Sequence, residues 1–231
     1  MSSTVVAKNP PPTSRFGIRM DSANSAGTSL ASLDRLGTVI SVKRDATVFS
    51  EGDRSHYFFR VVTGAMRSCC LLADGRRHIN DFFLPGDFIG LDADDHYRFT
   101  AEAVADATLV RYPRSAIEQF TSIEPGFGKH LLDLLSRQLI AAQQHMLLLG
   151  RKTATERVAS FLVTMGGRTR DAGNMSLPMT RSDIADHLGL TTETVSRAFT
   201  QLKTQGVIGL EGAAHVIVQD GAALEELAEA C

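Results

Sequence analysis

Residues 179–202, MTRSDIADHLGLTTETVSRAFTQL, predict two short helices joined by a tight turn. Thr180 precedes the first helix, where its hydroxyl can accept a backbone hydrogen bond, and Asp183 completes a capping box. Gly189 is suited to end this helix, because glycine adopts the left-handed conformation without strain. Thr191 is placed to cap the second helix. Because both helices carry their own end signals, this unit constrains the fold more than any other stretch.

The flanking segments extend the same unit. Before the two helices, GRKTATERVASFLVTMGG predicts a helix with Val158, Phe161, Leu162 and Met165 on its buried face. After them, GVIGLEGAAHVIVQD predicts two short strands joined by a turn at Gly212. Helices around a glycine turn, followed by a hairpin, indicate a winged helix-turn-helix, which is a DNA-binding unit.

The second helix of the pair has two distinct faces. Steps of about 100° per residue bring Val195, Ala198, Phe199 and Leu202 together on the side expected to pack on the domain. The opposite side carries short hydroxyl side chains with one acid and one base, namely Glu193, Ser196, Arg197, Thr200 and Thr204. Short side chains let a helix enter the major groove, so this face is the predicted DNA contact.

Glu193 and Arg197 allow two interpretations. Arginine offers a fork of donors that matches the two acceptors of guanine, and a carboxylate accepts from the amino group of cytosine. Because phosphate repels a carboxylate, Glu193 suits base selection better than general DNA affinity. The alternative is an exposed ion pair between residues four apart, which contributes about 0.3–0.5 kcal/mol. The capped helix before this segment and the hairpin after it favour the DNA interpretation.

The N-terminal half of the chain has a different texture. Between residues 38 and 112, short β-type runs alternate with turn signals, and glycines recur at about strand spacing. ADGR, residues 73–76, separates two such runs and predicts a hairpin. No long helical patterns alternate with these runs, which disfavours a doubly wound nucleotide-binding fold. The pattern predicts an antiparallel β-roll or sandwich and, with the C-terminal helices, an α+β protein.

A long helix is predicted from Phe127 to Leu149. Apolar side chains recur along it at steps of three and four residues, at Leu131, Leu134, Leu135, Leu139, Ala142, Met146 and Leu149. This stripe can pack on the helix's own domain, or it can form a coiled-coil seam with a second copy of the chain. The periodicity alone is compatible with both arrangements.

Composition narrows the class of protein. The 231 residues carry a formal charge of -2, so no overall basic excess indicates nucleic acid and the DNA prediction depends on local pattern. Cys69, Cys70 and Cys231 are too few and too poorly spaced for a zinc site or a disulfide framework, and we expect reduced thiols in the cytoplasm. No apolar run is long enough for a membrane span. No nucleophile and base pattern, phosphate loop or metal signature indicates an enzyme.

Both ends of the chain stand apart in composition. Residues 1–29 are rich in Pro, Ser, Ala and Gly and predict a disordered tail. Charge is unevenly distributed in the C-terminal part of the chain. Residues 151–204 hold eight Lys and Arg against five Asp and Glu, whereas residues 205–231 hold no Lys or Arg against five Asp and Glu. We therefore expect weak general attraction to phosphate, with tight binding dependent on a dimer and a correct palindrome.

MTRSDIADHLGLTTETVSRAFTQL, FSEGD, VVTGAM and LPGDFIGLDA resemble the CRP/FNR superfamily of bacterial transcription regulators, and most closely its FNR and FixK branch. The resemblance covers about residues 39–218. It implies a jelly-roll β-roll of the cyclic-nucleotide-binding type, a long dimerisation helix and a winged helix-turn-helix. The expected segments are a tail at 1–29, the β-roll at 30–118, the dimerisation helix at 119–150 and the DNA-binding domain at 151–231.

The resemblance also implies roles for single residues. The base-recognition trio of the family falls on Glu193, Ser196 and Arg197, and implies a TTGA-type half-site with Arg197 on guanine, Glu193 on the complementary cytosine and Ser196 against thymine. The remaining predicted DNA contacts are Thr192, Thr200, Thr180 and Arg181. The long helix matches the dimer helix of the family, with predicted contacts at Leu131, Leu135, Gln138, Ala142, Met146 and Leu149.

Cyclic nucleotide binding is disfavoured by departures from the pattern of the cyclic-AMP branch. That branch holds the phosphate with a Gly-Glu pair and an Arg-Ser-Ala triplet. Here Asp87 replaces the glutamate, and Arg98 is followed by Phe99 and Thr100. Carboxylates at Asp92, Asp94 and Asp95 would also repel a phosphate.

Redox cofactors are disfavoured as well. The oxygen-sensing branch needs N-terminal cysteines for an iron-sulfur cluster, and residues 1–67 contain none. Haem would need a ligand such as His56, His78 or His96, but lone histidines are more often structural.

The predicted function is a homodimeric, sequence-specific transcription regulator, expected to be an activator, that acts without an obligatory cofactor. It would bind a palindromic promoter site and contact RNA polymerase, with residues 73–77 as a candidate contact. The expected pathway is low-oxygen, denitrification or nitrogen-fixation control. The alternative is a sensor whose DNA binding requires a small ligand, a cyclic nucleotide or haem, in the β-roll.

Overall fold

Two structural units, a β-roll and a C-terminal helical unit, are joined by a long helix. The structure is a computed structural model and describes residues 36–91, 94–123, 125–168 and 173–229. The predicted disordered tail, Asp92 and Cys231 lie outside the described residues.

The β-roll consists of eight strands. They are β1 (Thr38–Val42), β2 (Thr47–Phe49), β3 (Tyr57–Thr63), β4 (Met66–Leu71), β5 (Arg77–Phe83), β6 (Phe88–Ile89), β7 (Thr100–Ala103) and β8 (Ala107–Pro113). Two four-stranded antiparallel sheets result, in the orders β1-β8-β3-β6 and β2-β7-β4-β5. The predicted antiparallel β-roll is confirmed, and so is the hairpin β4–β5, whose turn contains Gly75 with a φ of 82°.

Aromatic and aliphatic side chains fill the space between the two sheets. Met66 and Leu109 are fully buried there. The ring of Tyr97 stacks on Phe49 with 3.7 Å between centroids, and its hydroxyl donates to the carbonyl oxygen of Tyr57 at 2.6 Å. Tyr97 therefore occupies part of the β-roll interior with its own side chain.

Two helices follow the β-roll. Helix α1 spans Ser115–Ile123 and helix α2 spans Pro125–Arg151. The sequence pattern did not reveal α1, so the predicted dimerisation segment, 119–150, begins inside it. Pro125 is the first residue of α2, where its missing N–H leaves no helical bond unmade. Among the described residues, no helix is long and apolar enough to cross a membrane.

The C-terminal unit is a winged helix-turn-helix, as predicted. It comprises α3 (Ala154–Arg168), β9 (Asn174–Ser176), α4 (Arg181–Leu188), α5 (Thr192–Thr204), β10 (Ile208–Glu211), β11 (His215–Val218) and α6 (Gly221–Glu229). The predicted hairpin β10–β11 is confirmed. Strand β9 joins it at β11 and makes a three-stranded sheet, which the sequence pattern did not show.

The C-terminal unit packs directly on the β-roll. Ile79 and Phe82 of β5 belong to the same apolar cluster as Phe161 of α3 and Leu188 of α4. The rings of Phe82 and Phe161 meet edge to face at 6.2 Å. One continuous core therefore fixes the helix-turn-helix against the β-roll.

Candidate nucleic-acid interface

The turn between α4 and α5 is built by the residues that the sequence indicated. Asp183 N donates to the Thr180 hydroxyl at 3.1 Å, and Asp183 Oδ2 accepts from Thr180 N at 3.0 Å, which completes the capping box. Gly189 ends α4 in the left-handed conformation with a φ of 62°. Thr191 caps α5 by accepting from Thr194 N at 3.1 Å. These predicted caps are confirmed.

Helix α5 presents a smooth polar face to solvent. Val195, Ala198, Phe199 and Leu202 are buried, as predicted. On the other side, the hydroxyls of Ser196, Thr200 and Thr204 donate to the carbonyl oxygens of Thr192, Ser196 and Thr200 at 2.8, 2.9 and 2.9 Å. Because these side chains fold back onto the helix, nothing bulky projects from this part of the face.

Glu193 and Arg197 form an ion pair on this exposed face. Arg197 Nη2 donates to Glu193 Oε1 at 2.5 Å, and the two side chains are 79% and 72% exposed. An open groove along α5 is lined by Glu193, Ser196, Arg197, Thr200, Gln201, Thr204 and Gln205. The structure thus brings the predicted trio together on one accessible surface.

Among the other predicted DNA contacts, the two threonines at helix N-termini are exposed, whereas Arg181 packs against the protein. Thr180 and Thr192 are exposed at the first turns of α4 and α5. Arg181 is turned toward the protein, with its guanidinium carbon 3.2 Å from the ring centroid of Phe199. Burial lowers the pKa of Arg181 to about 10, and among the described residues its buried Nη1 has no hydrogen-bond partner. Arg181 would have to leave Phe199 to reach a phosphate.

The predicted dimer residues on α2 lie on two sides of the helix. Leu135, Ala142 and Met146 are exposed. The other three face their own chain: Leu131 packs with the cluster around Phe58, Leu149 packs with the core of the C-terminal unit, and Gln138 donates to the carbonyl oxygen of Phe88 at 3.5 Å.

The exposed side of α2 has a heptad spacing of its own. Leu132, Leu135, Leu139, Ala142 and Met146 follow one another at steps of three, four, three and four residues. Leu132 and Leu139 are 64% and 61% exposed, and Met146 is 66% exposed. The sequence pattern included Leu139 in the apolar stripe but could not separate the solvent-facing side from the side covered by the β-roll.

The residues that depart from the cyclic-AMP pattern are engaged within this chain. Asp87 Oδ2 accepts from Leu84 N at 2.6 Å and forms an ion pair with Arg168. Arg98 Nη2 pairs with Asp94 at 2.5 Å. No group of three metal-binding side chains occurs among the described residues.

Arg157 is a structural residue that sequence pattern did not identify. Its three donor groups bind the carbonyl oxygens of Leu149, Lys152 and Leu188 at 2.9, 3.0 and 2.9 Å. These carbonyls belong to the last turn of α2, the link to α3 and the last residue of α4. One guanidinium therefore connects the long helix to the helix-turn-helix.

Comparisons with known proteins agree with this architecture. The family model of the cyclic nucleotide-binding domain matches residues 39–123, and that of the Crp-like helix-turn-helix domain matches residues 156–227. The nitrogen fixation regulation protein FixK of Azorhizobium caulinodans is 43% identical over 83% of this chain and 79% of its own length. The chain belongs to the CRP/FNR family of transcription regulators.

Other members of the CRP/FNR family show the same relation. The transcriptional activator protein FnrL of Cereibacter sphaeroides is 39% identical over 85% of this chain and 83% of its own length. The structure of FixK2 from Bradyrhizobium japonicum superposes with a TM-score of 0.80 at 45% identity, covering 84% of this chain and 98% of that one. This CRP/FNR regulator is therefore similar to FixK and FnrL in sequence and, through FixK2, in fold.

Proposed function

We propose that this CRP/FNR regulator is a homodimeric transcription activator that recognises a palindromic, TTGA-type promoter site without an obligatory cofactor. The observation that carries the proposal is the polar face of α5. There Glu193, Ser196 and Arg197 are exposed side by side above a buried apolar face. The fork of Arg197 matches guanine, and the Glu193 carboxylate accepts only from donors such as the cytosine amino group.

The remaining residues of this face assist the trio. Thr180 and Thr192 stand at helix N-termini, where backbone N–H groups and the helix dipole favour phosphate oxygens. Thr200 lies one turn beyond Ser196 and lets the helix approach the groove closely. Arg181 joins them when it leaves the ring of Phe199.

The exposed apolar stripe of α2 supports the homodimer. Leu132, Leu135, Leu139, Ala142 and Met146 repeat with the spacing of a coiled-coil seam, and the opposite side of α2 is already covered by the β-roll. A second copy carries the same stripe and covers it by symmetry. The dimer then places two α5 helices about 34 Å apart, one DNA turn.

The filled β-roll supports action without a cofactor. Tyr97 and Phe49 stack inside the β-roll. Arg98, the basic residue where the cyclic-AMP pattern has its phosphate arginine, is already paired with Asp94. Calorimetry with cyclic AMP and an absorbance scan for a Soret band test this part. Binding of either ligand with a gain in DNA affinity would favour the effector-gated alternative.

The names of the relatives support the pathway. FixK relatives are described as nitrogen fixation regulation proteins, and FnrL as a transcriptional activator. We extend from these a role in low-oxygen, denitrification or nitrogen-fixation control. The candidate contact with RNA polymerase is residues 73–77 at the tip of the β4–β5 hairpin, of which residues 73–76 are exposed.

Selection of binding sites from random DNA by the purified protein, at stated salt and without added effector, tests the proposal. The expected product is a palindrome with TTGA-type half-sites. Recovery of a non-palindromic sequence would refute the symmetric dimer, and recovery of no preferred sequence would refute sequence-specific recognition.

A further inference from the structure

Four charged side chains form a cluster between the β-roll and the helix-turn-helix. Arg67 of β4 and Arg77 of β5 meet Asp183 and Asp186 of α4. Asp183 Oδ1 accepts from Arg67 Nη1 at 3.0 Å and from Arg77 Nη2 at 2.8 Å, and Asp186 Oδ2 accepts from Arg77 Nε at 2.8 Å. We call these four residues the interdomain cluster.

The cluster is buried enough to hold its geometry. The side chains of Arg67 and Asp183 are only 8% and 4% exposed. Arg67 is also anchored within the β-roll, because its Nε and Nη2 bind Glu102 of the neighbouring strand β7 at 2.9 and 2.7 Å. Removing Arg67 or Asp183 leaves an uncompensated buried charge, so the two units resist separation here.

Asp183 has two tasks, and the capping box accounts for only one of them. Its Oδ2 accepts from the backbone and hydroxyl of Thr180 and thereby caps α4. Its Oδ1 faces the two arginines. Burial raises the pKa of Asp183, but the bonds from Thr180 and the charges of Arg67 and Arg77 outweigh it and hold the pKa below its usual value. The N-terminus of α4 is therefore tied directly to the β-roll.

A fixed α4 fixes the recognition helix as well. Ile184 and Leu188 of α4 belong to the same buried apolar cluster as Val195 of α5, and the turn between the helices is closed by Leu190 N donating to Ala185 O at 3.0 Å. The β-roll is in turn packed on α2 through Phe127 and its neighbours. A rigid path thus leads from the exposed stripe of α2 through the β-roll to α5.

We propose that Arg67 and Arg77 are positioning residues that set the distance between the two recognition helices of the dimer, so that the protein accepts only one spacing of half-sites. This inference rests on the proposed dimeric recognition of a palindrome. One added base pair moves a half-site by about 3.4 Å and turns it by about 35° around the DNA axis. A helix-turn-helix held by the interdomain cluster cannot follow such a shift, whereas a loosened one can.

The experiment compares Arg77→Gln with Arg76→Gln. Arg77 joins the two units, whereas the adjacent Arg76 is 77% exposed and pairs with Asp74 of its own hairpin. Dissociation constants are measured for the selected palindrome and for the same half-sites with one base pair added or removed. Thermal unfolding and gel filtration check that each variant is folded and dimeric.

Wild type and Arg76→Gln are expected to prefer the selected spacing by about tenfold or more, comparable to the effect of a mismatched base pair. Arg77→Gln should reduce this preference to about threefold or less. Its loosened helix-turn-helix can follow a shifted half-site, so the affinities for the altered and the selected spacings become more similar. Asp186→Asn, which leaves the capping box intact, should act in the same direction, and Arg77→Lys should restore part of the preference. An equal loss of affinity on all three spacings in Arg77→Gln would make the cluster merely structural and overturn the inference.

Failure of the proposed function gives a different result. If wild type binds single half-sites selectively but accepts all spacings equally, sequence recognition stands and the positioning inference is wrong. If wild type prefers no DNA sequence, both the proposed sequence-specific recognition and the role of the cluster in half-site spacing are wrong. Hydrogen exchange on the DNA-free protein then tests whether the interdomain cluster restrains α4. The backbone amides of α4 should exchange faster in Arg77→Gln than in Arg76→Gln. Equal exchange rates would show that the cluster does not restrain this helix.

Discussion

Glu193 and Arg197 hold each other on the surface of α5 before DNA is bound. Because both side chains are mostly exposed, their 2.5 Å ion pair contributes only about 0–1 kcal/mol to stability. Replacing this ion pair by contacts with DNA bases therefore costs little free energy. The surface ion pair is thus compatible with a role of both side chains in base selection.

Replacement of Arg197 tests the guanine contact. We expect Arg197→Ala to weaken binding to the selected palindrome by about 1–3 kcal/mol and to relax the preference at the guanine, because the bidentate donor is lost. Titrations of the palindrome and of its guanine-substituted forms measure both effects. Lys203→Ala, at the exposed end of the same helix, is the control and should leave the base preference unchanged. A uniform loss on every sequence would identify Arg197 as a phosphate contact.

Glu193 should behave in a different way. Glu193→Ala removes an acceptor for cytosine and also a charge that phosphate repels, so discrimination at the cytosine should relax while affinity for unrelated DNA stays equal or rises. Competition titrations with unrelated DNA measure this. Glu226→Ala removes an exposed carboxylate from α6 and controls for net charge. Unchanged discrimination would leave Glu193 as no more than a surface partner of Arg197.

Helix α2 has one side covered by its own chain and one side exposed. Leu139→Glu places a charge in the middle of the exposed stripe, and we expect it to dissociate the proposed dimer, because two buried carboxylates would face each other across the seam. Analytical ultracentrifugation measures the dissociation constant. Gln144→Glu is the matched control, since Gln144 is exposed on α2 outside the stripe. Equal dissociation constants in both variants would place the dimer contact elsewhere.

Arg157 offers a test of how α2 is joined to the helix-turn-helix. Arg157→Lys keeps the charge but cannot bind three carbonyl oxygens in fixed directions, so we expect a loss of about 1–3 kcal/mol in the free energy of unfolding. Urea denaturation measures the loss. Arg151→Lys, at the exposed end of α2, should change stability by less than about 0.5 kcal/mol.

Local signals explain which elements could be predicted. The caps at Thr180 and Thr191, the break at Gly189 and the buried face of α5 depend on residues within one or two turns, so the sequence showed them. Strand β9 is three residues long and is defined by its pairing with β11, about 40 residues away. Helix α1 begins at Ser115, with one residue between it and the end of β8, so no turn pattern in the sequence separates the two elements.

Contacts between the two units escaped prediction for a related reason. The local sequence around Asp183 predicts its capping role, but its second partner, Arg67, is 116 residues away in sequence. Likewise, an arginine at the start of α4 is an ordinary DNA contact by pattern, and only the structure shows Arg181 stacked on Phe199. Pairings between distant segments require the fold, because no sequence spacing defines them.

The packing of the two units makes stability depend on pH in two opposing ways. Burial, with a contribution from His145, lowers the pKa of His187 from 6.5 to about 3. As pH falls below about 6.5, only the unfolded chain protonates this residue, so stability decreases. Burial raises the pKa of Asp81 from 3.8 to about 6 against the charge of Arg168. The folded chain therefore takes up that proton first, and acidification from about 6 to 4 adds stability.

Two variants separate these effects. Asp81→Asn leaves the histidine, so the free energy of unfolding should fall more steeply between pH 6.5 and 4 than in wild type, by up to about 1.4 kcal/mol per pH unit. His187→Phe leaves the aspartate, so the same curve should fall less steeply or rise. Urea titrations at several pH values give both curves. Identical slopes in all three proteins would show that neither group titrates as its burial implies.

The segment after α5, which contains β10, β11 and α6, carries acidic side chains but neither Lys nor Arg, and this should affect how the protein finds its promoters. Residues 205–229 contain no Lys or Arg, and Glu211 lies exposed at the end of β10. A protein with few phosphate contacts displaces few counterions, so it binds unrelated DNA weakly and slides along the chromosome for short times only. Such a protein reaches its sites mainly by collision from solution. If the protein acts without a cofactor as proposed, we expect the fraction of promoters occupied to follow the number of molecules in the cell.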